Sequence, residues 1–113
     1  MIKEEILIKT GKEYFYSGED EFSKGRYNSA VVLYFKALVS FSDLYVLQKT
    51  GNTPSSHNDR FRITKEKFSE VYNLLDKDFP FYQSSYVQVM TKELAEVICY
   101  DAKIMAEKTK TEI

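Results

Sequence analysis

Tryptophan is absent from this 113-residue chain, cysteine and histidine occur once each, and there are only two prolines and four glycines. The lone Cys99 cannot close an internal disulfide. Its apolar, helical neighbourhood fits a buried thiol in a reducing compartment, so a cytoplasmic protein is expected. One histidine, with no second cysteine and no carboxylate pair beside it, falls short of the ligand count of a zinc site, and no metal is expected. There is no glycine-rich phosphate loop, no serine-histidine-acid set and no pair of catalytic carboxylates, so no cofactor is implied. No apolar run approaches the roughly eighteen residues of a membrane span, and Met1 to Lys12 lacks the apolar centre of a signal peptide. An excess of one charge is missing as well. Sixteen Lys and Arg against seventeen Asp and Glu give a net charge of -1, so any attraction for nucleic acid has to be local.

Apolar helical periodicity is what the chain has in quantity. From Arg26 to Lys49 the positions Tyr27, Ala30, Val31, Tyr34, Ala37, Leu38, Phe41, Leu44 and Tyr45 form one stripe at 3.6 residues per turn. Val32, Leu33, Phe35, Val39, Val46 and Leu47 populate the other sides, leaving a narrow polar seam through Asn28, Lys36, Ser40 and Asp43. A helix this apolar in so short a chain has to be wrapped by the others. The expectation is one all-α domain over residues 1–113, an up-and-down bundle of four main helices with room for a short fifth. Nine tyrosines and eight phenylalanines exceed what that core needs, and an oligomer interface is the natural place for the surplus.

A first helix is expected from about Ile2 to Lys24, with Gly11 and Gly18 on its inward stripe. Glycine inside a helix costs roughly 1 kcal/mol relative to Ala, and close approach of another backbone, with Phe15 and Phe22 filling the space between, is what it gives in return. Gly25 ends that helix, and Gly51 followed by Pro54 ends the long one. A third helix starts on a Ser56 cap with Asp59 three residues on, takes Thr64 as a second cap, buries Phe68, Val71, Tyr72, Leu74 and Leu75, and stops before Pro80. The last helix runs from about Ser85 to Lys108, burying Val87, Met90, Leu94, Val97, Ile98, Ile104 and Met105, with 108–113 frayed. Asp101 falls inside that stripe, where an acid needs a buried partner such as an Arg, a Lys or a Tyr hydroxyl.

The glycine, Ala30, Tyr34 and Ala37 of KGRYNSAVVLYFKAL (Lys24 to Leu38) are similar to half of a tetratricopeptide repeat, but a shift of thirty-four residues finds no second copy to stack on it. Together with the segments on either side, the same residues fit a different family. A helix ending in Lys24, Gly25, Arg26, Tyr27, then a Tyr- and Ala-rich helix, then Pro54, Ser55, Ser56, His57 and an amphipathic helix, resembles the HEPN family of small helical bundles over roughly Tyr14 to Met105. The resemblance implies an up-and-down bundle, often a homodimer, often acting beside a small nucleotidyltransferase, with some members being metal-independent ribonucleases of toxin or defence systems. Those ribonucleases carry an arginine followed, after four to six intervening residues, by a histidine, a cation for the phosphorane and a base for the ribose hydroxyl. Here Thr50, Gly51 and Asn52 precede His57, while Arg60 and Arg62 come after it, so the motif is absent and catalysis is not expected.

What remains is an anion site at the start of the third helix. There the hydroxyls of Ser55 and Ser56, the amides near Asn58, and the side chains of His57, Arg60 and Arg62 can meet a phosphate favoured by the helix dipole. The leading expectation is a non-catalytic HEPN-like module that contacts a nucleotide or RNA phosphate there, alone or with a nucleotidyltransferase partner. The alternatives are a structural bundle that binds protein through its aromatic surface, and a ribonuclease with a rearranged site.

Overall fold

Two glycines decide how the first two helices meet. In the computed structural model, which describes residues 1–113, α1 (Lys3–Ser23) and α2 (Tyr27–Thr50) form an antiparallel pair. A Cβ at Gly11 would lie 2.5 Å from Phe41 Cε1, and one at Gly18 would lie 2.8 Å from Tyr34 Cδ1. Side-chain rings of α2, not a neighbouring backbone, therefore occupy the sockets, and α1 runs unbroken through both glycines. Phe15 and Phe22 pack against the same Tyr34 ring, with centroids 5.7 and 6.5 Å away. The turn between the helices closes with the Arg26 amide on the Glu21 carbonyl and the Gly25 amide on Phe22, a geometry that needs the left-handed φ of 73° at Gly25. Gly51 ends α2 in the same region, at φ 84°.

The remaining helices are α3 (His57–Lys67), α4 (Ser69–Ser84) and α5 (Lys92–Lys108), so the bundle is all-α with five helices. α2 is the central member, packed by α1, α4 and α5. Tyr34, Leu38, Phe41 and Leu44 of α2 are fully buried, as are Val71 and Leu75 of α4 and Ile98 and Met105 of α5. Ala95, Ala102 and Ala106 let α5 come close. By length and composition α2 would also cross a membrane, with a window of mean hydropathy 1.6, contrary to the expectation from uninterrupted runs. Burial of 61% of that window among the other helices is the use the fold makes of it.

Several boundaries differ from those expected of the sequence. The third helix is two helices, broken at Phe68 (φ -135°, ψ 70°), and Thr64 is no cap: its hydroxyl donates to the Arg60 carbonyl inside α3. α4 continues through Pro80 to Ser84. Phe79, the residue a following proline pushes from the helical region, is held by rings of Phe35, His57 and Phe61 at 5.9, 4.6 and 5.7 Å. α5 starts at Lys92 on a Thr91 cap, because Asn28 of α2 draws the preceding segment into a turn. Its side chain donates to the carbonyls of Ser85 and Gln88 and accepts from the Met90 amide. Val87 is consequently 81% exposed, and Val97 lies outside the buried stripe of α5. The C-terminus is tied down: Thr109 is buried, its carbonyl accepts from the Gln48 side chain, and the Thr111 amide bonds to Ala106.

Candidate functional site

The start of α3 is built as a reciprocal cap. Ser56 Oγ accepts the Asp59 amide at 3.1 Å, and Asp59 Oδ2 accepts the Ser55 amide at 2.9 Å and its hydroxyl at 3.1 Å. The Ser55 amide, then the Arg62 guanidinium, hold the Asp59 carboxyl below its usual range. Ser55, Ser56, His57 and Asn58 thus lie together at an exposed helix start, as expected, but with a carboxylate of the protein's own at the dipole's positive end. The two arginines do not join them as free cations. Arg60 turns to α2 and makes a two-pronged bond with Asp43 at 2.7 and 2.9 Å, both side chains being mostly buried. Arg62 pairs along its own helix with Asp59 and Glu66.

His57 points the other way, into rings. Its imidazole lies 4.8 Å from Phe61 and 4.6 Å from Phe79, and it forms one end of a groove of about 340 Å³. α2 supplies the floor through Phe35, Lys36, Val39 and Ser40; Tyr14 of α1 forms one wall, and Phe79 and Tyr82 of α4 form the other. No acidic residue lines it. Lys36 is exposed, is absent from every ion pair of the protein, and holds its ammonium 5.8 Å over the Tyr14 ring. Chemically the groove offers flat apolar faces, one unpaired cation and an imidazole, a combination suited to an anion that carries a ring.

Two other polar centres serve the packing. Glu19 accepts the Tyr34 hydroxyl and, at 3.4 Å, the Cys99 thiol in a cleft between α1 and α5. Burial pushes Cys99 up to about 11, so it stays a protonated thiol. That cleft balances Lys92 and Lys103 against Glu19 and Glu96 and so has no preference for an anion. Asp101 finds the partner its position demanded. Lys77 Nζ lies 2.8 Å from Oδ2, close as a charge though not aligned as a hydrogen bond, and Asp78 of α4 faces it as a second buried carboxyl.

Sequence reasoning found one groove residue, His57, and missed Tyr14, Phe35, Phe79 and Tyr82. The signal available was the polar seam of α2: Lys36, exposed, and Ser40, buried, interrupt an otherwise apolar helix along the groove. The chain matches no protein-family model and no curated protein.

Proposed function

We propose that the chain is a non-catalytic binding module for a nucleotide or RNA phosphate, held in the groove between Lys36 and His57. The observation that carries this reading is a concave, acid-free lining with an unpaired ammonium in a protein of net charge -1. Lys36 supplies the charge, and the His57 imidazole and Ser40 hydroxyl supply directed hydrogen bonds. The resemblance to HEPN bundles supports the same ligand class and adds a homodimer and a nucleotidyltransferase partner to the proposal. Calorimetric titration with nucleoside monophosphates and a short RNA tests it. Lys36→Met and His57→Ala should each weaken binding several-fold, whereas Arg62→Ala, which removes an arginine already paired, should leave it nearly unchanged. Affinity indifferent to both groove substitutions overturns the site.

A second reading, a bundle that binds protein, has its own observation. Tyr86, Val87 and Val89 are 72%, 81% and 89% exposed on a turn that Asn28 holds in place. No charged residue occurs from Phe79 to Thr91, so this face has nothing to pair with a charged partner. A second copy of the chain, presenting the same uncharged surface, is the occupant it fits.

A further inference from the structure

We infer that the groove is a base-stacking slot for one unpaired nucleotide, and that its ligand is single-stranded RNA in preference to duplex or to phosphate alone. The inference rests on the binding-module reading and adds to it what the rings select.

The Tyr82 ring is nearly parallel to both Phe35 and Phe79, which are inclined 37° to one another. Phe35 and Tyr82 stack with centroids 4.8 Å apart and planes 23° from parallel, and Phe79 is inclined 24° to Tyr82. Phe35 is buried beneath, while Phe79 and Tyr82 are only half-buried and Tyr14 stands half-buried on the opposite wall. Both walls therefore offer ring surface to whatever enters between them. Any nucleobase has such a face, so stacking of this kind tolerates sequence. The ring walls select for a flat group, and the Lys36 ammonium with the His57 imidazole selects for an anion attached to it. A nucleotide is the ligand chemistry that carries both.

Size and geometry then choose the strand. About 340 Å³ lies near the low end of small-ligand pockets, room for one nucleotide and not for a helix. In an A-form duplex each base is stacked between its neighbours and paired, so its face reaches the slot only after it has been pulled out. A single strand avoids that cost. Inorganic phosphate can meet Lys36 and His57 but leaves the rings wet. The Tyr82 hydroxyl lies 3.1 Å from that of Tyr86, and because Phe35 covers one face of the Tyr82 ring, a base can meet it only on its other side.

The test compares four probes on the whole labelled protein: octauridylate, a self-complementary RNA duplex, uridine monophosphate and inorganic phosphate. Octauridylate should bind at least about tenfold more tightly than the duplex or phosphate, and ring protons of Tyr14, Phe79 and Tyr82 should show contacts to uracil protons. Tyr14→Leu and Tyr82→Leu should each weaken octauridylate about tenfold. Since Tyr82 also packs on Phe35, the wild-type contacts and the Tyr14 variant keep the test independent of any loss of folding. Uridine monophosphate bound as tightly as octauridylate, with the same ring contacts, would keep the slot but overturn the strand as its ligand. Equal affinity for duplex, or RNA binding without change at the ring protons, overturns the slot and leaves the binding module standing. No binding of any probe at millimolar concentration overturns both.

Discussion

Asp78 and Asp101 bring two carboxyls together from α4 and α5 with 0% and 2% of their surface exposed. Neither oxygen of Asp78 receives an N–H or hydroxyl, a costly arrangement for a pair of anions. One proton shared by the pair removes the conflict, with Lys77 balancing the remaining charge. Burial, then the bond to Asp101 and its charge, push Asp78 up to about 8, against the opposing pull of Lys77. Unfolded, the same group ionises near 3.9. Between those values the native state binds the extra proton. This contribution to stability is therefore complete below about pH 4 and is lost as pH rises through about 8. Asp59 and Glu70, both lowered, act only on the acid side of that window. Urea midpoints should fall as pH rises from about 6 to 8, by at most ~1.4 kcal/mol per unit for the one proton. Asp78→Asn, whose amide donates to Asp101 at every pH, should flatten the profile; a wild-type midpoint that does not move over this range would rule out the shared proton.

At the scale of elements, local chemistry was legible and tertiary overrides were not. Gly25, Gly51 and the Ser56 cap work within a few residues, and each ends or begins a helix as its type dictates. The density of apolar side chains on α2 likewise announced its central place. The passage of α4 through Pro80 and the late start of α5 depend instead on Phe79 among its neighbouring rings and on Asn28 reaching across 57 to 62 residues, and at the break the Phe68 ring packs on Tyr45 of α2. The site was half legible for the same reason. His57 and the cap could be read from adjacent residues, whereas Arg60 was assigned to a ligand because its partner Asp43 lies seventeen residues away on another helix. That pair is what ties α3 to α2. Arg60→Ala strands a buried carboxylate and should cost about 3 kcal/mol, while Arg62→Ala, at an exposed pair, should cost under about 1 kcal/mol. Equal denaturation midpoints for the two variants would show that the Asp43 pair does not anchor α3.

The whole molecule leaves the central helix uncovered along one side. α1, α4 and α5 account for most of the surface of α2, yet Val32 and Leu33 remain half-exposed beside Asn28, close to the turn that displays Tyr86, Val87 and Val89. An ordered turn with three large apolar groups in water is unfavourable for an isolated chain, and it is the kind of surface that association covers. Because the face is uncharged and would pair with its own copy about a two-fold axis, each substitution acts twice in the dimer. Val87→Ser with Val89→Ser should therefore shift sedimentation from a dimer toward a monomer without lowering the thermal midpoint at high dilution, where the wild type is itself monomeric. The base-stacking groove lies farther along α2, from Phe35 to Ser40, so the same double variant should bind octauridylate as the wild type does. A chain that sediments as a monomer at every concentration would end the dimer proposal and leave the groove untouched, since none of the groove's lining residues belongs to the turn.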